Sequence, residues 1–127
     1  MTLKGIETPG HKADHMSYLL ESNSGEYKNL LFPGDTILGT PSTTFDCLIS
    51  YMKSLDKMLA LNPDELMLSH HLDGSNYLVE DARSKIESYI RYRKARETEL
   101  LRMVHGGKND NLHAIDGGRM TLGELFN

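Results

Sequence analysis

Four side chains in the sequence have the types and placement to hold a cation: His11, Asp35 and the adjacent pair His70 and His71. Each follows a turn or a short apolar segment. Thr8-Pro9-Gly10 delivers His11, Leu30-Leu31-Phe32 with Pro33-Gly34 delivers Asp35, and Leu66-Met67-Leu68 leads through Ser69 to His70. A strand end aims a side chain while the loop beyond it leaves room for a ligand, so α/β folds place working groups there. Imidazole and carboxylate are donors that suit zinc, and a carboxylate has two oxygens with which to bridge two ions. On its own this pattern is only moderately specific for a metal site. The other histidines read differently: His15 as a hydrogen-bonding or surface group behind the site, His105 and His113 as surface groups. Gly106-Gly107-Lys108 lacks the preceding strand and the spacing of a phosphate-binding loop.

The elements that must carry these residues can be read from periodicity. Thr2 to Glu7 alternates as a strand does, and Met16 to Glu21 is the next strand, turned by Ser22-Asn23-Ser24-Gly25 into Asn29 to Phe32 as a hairpin. Phe45, Leu48, Ile49, Met52, Leu55 and Leu59 recur at three- and four-residue steps, which predicts a helix capped by Thr43 or Thr44 and stopped by Asn62-Pro63. Leu66 to Leu68 predicts a short buried strand. A long helix is expected from about Val79 to about His105, with its apolar stripe broken by Arg93 and Glu97 and its end marked by Gly106-Gly107.

Composition narrows the class. With 39% hydrophobic and 25% charged residues over 127 positions, the chain can bury a modest core as one small domain. A net charge of −4 argues against nucleic-acid binding through global charge, while leaving room for a local basic face. Arg91, Arg93, Lys94, Arg96 and Arg102 supply such a stretch, read first as a solvated helix face paired with Glu87, Glu97 and Glu99. The sharper reading makes Arg93 and Arg96 contacts for a phosphate backbone. One cysteine, Cys47, fits a reducing compartment, and no membrane-length apolar run or signal peptide is visible. The expectation is a soluble intracellular protein, cytoplasmic or mitochondrial, with no membrane partner.

Thr8-Pro9-Gly10-His11, then Asp14-His15-Met16-Ser17, then Pro33-Gly34-Asp35-Thr36-Ile37-Leu38-Gly39 resembles the second half of the metallo-β-lactamase superfamily. Within it, the chain is most similar to the β-lactamase-like protein 2 endoribonuclease branch. The likeness continues through the Phe45 to Leu61 helix and through Lys85-Ile86, Tyr89-Ile90 and Arg96-Glu97 in the long helix. The resemblance implies an α/β fold that is the C-terminal half of an αββα sandwich, a short sheet with helices on one face. It implies that His11 binds a first zinc, that Asp35 bridges two, and that His70 or His71 binds the second. Ser69-His70-His71-Leu72 departs from the family's Pro-Gly-His-Gly, which leaves both histidines open, and Lys12 replaces a usual threonine.

The family's His-x-His-x-Asp-His motif does not occur in these 127 residues. The expectation that follows is a truncated zinc hydrolase, its parent activity RNA phosphodiester hydrolysis, inactive as this lone chain and without catalytic groups beyond the metal ligands. The competing expectation is a non-catalytic remnant that serves as an interaction module. Either way the open sheet face is expected to be covered, by a homodimer partner or by an N-terminal half. Residues 1–107 are assigned to the αβ half, 108–120 to a linker, and 121–127 to the start of a winged-helix-like module, opened by the capping-box spacing of Thr121 to Glu124.

Overall fold

The fold follows from which strand residues can face a helix. In the computed structural model, residues 1–39, 43–71, 74 and 76–106 are described. Strand β1 (Thr2–Glu7) pairs antiparallel with β2 (Met16–Glu21) along its whole length, from Thr2 opposite Glu21 to Glu7 opposite Met16. β2 pairs antiparallel with β3 (Leu30–Phe32), with Leu19 opposite Leu31. β3 pairs parallel with β4 (Glu65–Met67), and a parallel pair needs a crossover, which helix α1 (Leu48–Ala60) supplies. β4 pairs antiparallel with β5 (Leu78–Val79), so the sheet order is β1-β2-β3-β4-β5.

Alternation gives the sheet one buried face. Ser17 and Leu19 of β2, Leu31 of β3 and Leu66 of β4 are buried. They join α1 through Tyr51, Leu55 and Met58, which with Ser54 recur at helical spacing, and helix α2 (Ala82–Gly106) through Ala82, Ile86 and Ile90. Full burial of a leucine such as Leu31, Leu55 or Leu66 stabilises by about 1.5–3 kcal/mol over an exposed position. The opposite face is partly open: Leu3 is 62% and Tyr18 46% exposed, with Met16 exposed and Leu20 and Phe32 half-buried beside them. Cross-strand pairing of Gly5 with Tyr18 and of Leu3 with Leu20 puts these residues on one surface. A short sheet with helices on one face is therefore what the chain forms.

Three boundaries differ from the sequence reading. α1 starts at Leu48 with Cys47 as its cap residue, not at Thr43 or Thr44. The backbone N–H groups of Asp46 and Cys47 donate to Gly10 O at 2.8 and 3.2 Å, which holds the segment before the helix out of helical geometry. β5 falls where a loop was expected. α2 starts at Ala82 rather than Val79 because the Asp81 carboxylate caps it, accepting from Ser84 N at 3.0 Å and Ser84 Oγ at 2.8 Å. Met1–Ile90 and Arg91–Asn127 are two compact units, and the described part of the second is the continuation of α2. The linker expected over 108–120 and the module expected from Thr121 lie outside the described residues. No described helix is long and apolar enough to cross a membrane.

Candidate metal centre

Two backbone segments carry the candidate donors, and each is fixed by contacts that sequence makes unavoidable. The first is the loop after β1. Gly10 has φ +138°, and a Cβ there would lie 2.3 Å from Tyr51 Cα, so the loop rests directly on the α1 backbone and only glycine fits. Ser54 Oγ donates to Pro9 O at 2.6 Å, and Gly10 O takes the two N–H groups named above. His11 is thereby delivered to the rim of the sheet. Its Nδ1 lies 2.8 Å from Thr44 O. A carbonyl can only accept, so Nδ1 carries the proton and Nε2 points away from the backbone.

The second segment is the 3-10 turn Gly34–Thr36 at the end of β3. The Asp35 N–H donates to His15 Nε2 at 3.0 Å, and Thr43 Oγ1 donates to Asp35 O at 2.5 Å. Tyr51 OH donates to Thr36 O at 2.7 Å, and Tyr89 OH donates to Leu38 O at 2.7 Å. Helices α1 and α2 thus each tie down the stretch that follows Asp35. His15 is partly buried, and that burial first, with the neighbouring His11 second, pushes its pKa below 6.5.

The side chains converge on Asp35. His11 Nε2 lies 3.5 Å from Asp35 Oδ2, and His70 Nε2 lies 3.0 Å from Asp35 Oδ1. One carboxylate oxygen therefore faces each histidine. Ser69 Oγ donates to Gly34 O at 3.1 Å, which holds the loop bearing His70 against the Asp35 turn. His71 is elsewhere: its ring lies against Gly39, where a Cβ would be 2.2 Å from His71 Cδ2, and edge-on to Tyr77 at 6.1 Å. The structure brings His70 to Asp35 and places the His71 ring against Gly39 and Tyr77.

These donors suit a metal in type and direction but do not complete a site. With Nδ1 protonated, the His11 Nε2 lone pair faces Asp35 Oδ2, an arrangement that a cation between them would satisfy. A histidine whose far nitrogen donates to a backbone carbonyl is the usual arrangement of a zinc ligand. Each side of Asp35, however, has two protein donors, whereas zinc sites take about three or four. Among the described residues no group of three or more His, Cys, Asp or Glu side chains could hold an ion. Any further donors must come from outside the described residues.

The basic pair read as substrate contacts is placed differently. Arg93 is 1% exposed, so it is not on a face that a phosphate backbone could track, and the reading of Arg93 as a surface contact is corrected by its burial. Arg96 is partly exposed, over the Tyr92 ring at 5.6 Å and 3.4 Å from Glu99 Oε2. Sequence reasoning missed Thr43, buried and in contact with both Asp35 O and His11 Nδ1, because it was read as a helix cap. It also gave no part in the site to Tyr51 or Tyr89, whose hydroxyls donate to Thr36 O and Leu38 O. No signal short of the three-dimensional path separates a capping threonine from one that turns back to a distant carbonyl.

The chain is 38% identical over 111 residues to a β-lactamase-like protein 2 homolog of Drosophila melanogaster, a match covering 87% of this chain and 34% of that protein. A homolog of the same name in Caenorhabditis elegans is 37% identical, over 81% of this chain and 32% of the relative. A lactamase-like protein of Aspergillus niger is 33% identical, over 99% and 38%. The fold matches a metallo-β-lactamase family protein from Thermus thermophilus with a TM-score of 0.61 at 25% identity, over 80% of this chain and 33% of that one. This chain belongs to the metallo-β-lactamase superfamily. Its matched part spans about a third of the length of these relatives, 32–38% in the three proteins named. No family model matches the chain.

Proposed function

We propose that this chain supplies one side of a dinuclear zinc centre, with His11 and His70 on separate ions and Asp35 bridging them, in a hydrolase whose substrate is an RNA phosphodiester. The observation that carries this reading is the division of the Asp35 carboxylate, one oxygen toward each imidazole Nε2. Two ions held in such a centre supply water activation and stabilisation of the leaving oxygen. The chain's own residues orient the donors: Thr44 O fixes the His11 tautomer, His15 and Thr43 hold the Asp35 backbone, and Ser69 anchors the His70 loop. Arg91, Lys94 and Arg102 remain exposed on α2 and support a polyanionic substrate, as does similarity to the β-lactamase-like protein 2 branch.

Two donors per ion are too few for turnover, so further ligands belong to the reading. The test joins this chain to the part of the Drosophila relative that it does not match and follows zinc-dependent cleavage of a single-stranded RNA oligonucleotide. Cleavage that disappears in Asp35→Asn supports the proposal. Cleavage indifferent to Asp35→Asn and His70→Ala would overturn it.

A second reading is favoured by the partly open sheet face. Leu3, Met16 and Tyr18 are exposed on one face of the sheet, and exposed apolar groups gathered on one face often mark an interface. On this reading the chain is a non-catalytic module whose face is covered by a second copy or by an N-terminal half. Sedimentation decides it: a dimer that Tyr18→Glu dissociates, with no zinc bound, favours the module over the enzyme.

A further inference from the structure

Asp35 is held by more than its own turn. We propose that His15, Thr8 and Ser17 form a one-way hydrogen-bond circuit that positions Asp35, with His15 locked as the Nδ1–H tautomer and so unavailable as a metal ligand. As a role in metal binding, this rests on the reading of Asp35 as a bridging donor. The direction is set at both ends. A backbone N–H can only donate, so Asp35 N–H at 3.0 Å makes His15 Nε2 an acceptor. The ring proton then sits on Nδ1, 2.9 Å from Thr8 Oγ1. Thr8 Oγ1 lies 2.8 Å from Ser17 Oγ, and Ser17 Oγ donates to Pro33 O at 3.2 Å, a carbonyl that can only accept.

Between these ends the protons are assigned: His15 Nδ1–H to Thr8, with Thr36 Oγ1 a longer second acceptor at 3.3 Å, Thr8 to Ser17, and Ser17 to Pro33. Running the circuit backward would put a ring N–H against the Asp35 N–H, two donors facing each other. The path leaves the chain at Asp35 and returns at Pro33, two residues earlier, so it closes around the turn that carries the carboxylate. Thr8 and Ser17 are both fully buried, where water cannot substitute for a missing partner. Space is reserved for the ring as well. Gly34 has φ +57°, and a Cβ on it would stand 2.7 Å from His15 Nε2.

The two neighbouring histidines thereby divide their work. His11 and His15, with ring centroids 6.0 Å apart, carry the proton on the same nitrogen. His11 turns its Nε2 toward the Asp35 carboxylate, and His15 turns its Nε2 toward the Asp35 amide. His15 is a positioning residue.

Two measurements on the full chain test this. Two-bond proton–nitrogen correlation spectra report the His15 tautomer directly. Nδ1–H is expected in the wild type and is retained in Thr8→Val, because the Asp35 N–H still makes Nε2 the acceptor; an Nε2–H tautomer in the wild type overturns the circuit. Zinc affinity, measured by competition with a chromophoric chelator, is expected to fall about 10- to 100-fold in His15→Phe. In His15→Gln, whose amide oxygen can accept the Asp35 N–H, most of that loss should be recovered. Equal affinities in the two variants would overturn the positioning role. If the wild-type chain binds no zinc by itself, the tautomer together with hydrogen exchange of the Asp35 amide decides the circuit.

Discussion

Replacing Gly10 by alanine tests whether the loop that presents His11 is shaped by α1. An added Cβ would lie 2.3 Å from Tyr51 Cα, 2.4 Å from Tyr51 N and 2.6 Å from Tyr51 Cβ. Carbon atoms normally approach to about 3.5–4.0 Å, so the overlap exceeds about 1 Å, and it is with helix backbone that cannot swing aside. The loop must lift, which also strains the bonds from Asp46 N and Cys47 N to Gly10 O. Alanine at φ +138° adds backbone strain of about 1–3 kcal/mol. Overpacking adds about 1–3 kcal/mol more. The expected loss is therefore roughly 2–6 kcal/mol, a large part of the about 5–15 kcal/mol that stabilises a typical domain. Guanidinium denaturation followed by circular dichroism measures it. Gly25→Ala is the control, since Gly25 also has positive φ, +71°, but nothing lies within 4 Å of the added Cβ. It should lose only the strain, about 1–3 kcal/mol. If Gly10→Ala is no less stable than Gly25→Ala, the proposed seat of the His11 loop on α1 is wrong.

Two further outcomes follow from the core and from the site. Leu66→Ala, at a fully buried position in the parallel strand pair, should cost about 2–5 kcal/mol and lower the denaturation midpoint without changing its slope. The pKa of His15 is lowered in the folded chain from 6.5, so the unfolded state takes up its proton first as pH falls. That contribution to stability is fully present above pH 6.5 and declines as pH drops from 6.5 toward the folded value, and His15→Gln should remove this part of the pH dependence. A pH profile identical in the two proteins would contradict the assignment.

The second and third strands were legible as short apolar runs bounded by turn residues, Tyr18 to Leu20 and Leu30 to Phe32, but which of their residues face inward, Leu19 and Leu31, is set by the pairing and the helices rather than by any alternation in the sequence. α1 was legible in its body, where Leu48, Leu55 and Leu59 keep helical spacing. Its start was not, because Thr43 turns back to Asp35 instead of capping the helix. β5 is two residues long and offers no period to detect. His11 and Asp35 follow turns visible in the sequence and the structure places them 3.5 Å apart, whereas which of His70 and His71 lies beside Asp35 depends on contacts between residues far apart in sequence. Arg93 misled for a related reason. A charged residue within a helical stripe was read as a surface contact, but its place on the helix is buried.

The most direct test of the bridging role of Asp35 is a crystal of the chain joined to the part of the Drosophila relative that it does not match, soaked in zinc and measured at the zinc absorption edge. A bridging Asp35 predicts anomalous density on both sides of its carboxylate, one peak about 2.0–2.2 Å from His11 Nε2 and one carboxylate oxygen, the other at the same range from His70 Nε2 and the second oxygen. Density centred on His71 or His15, or none beside Asp35 at saturating zinc, would contradict it.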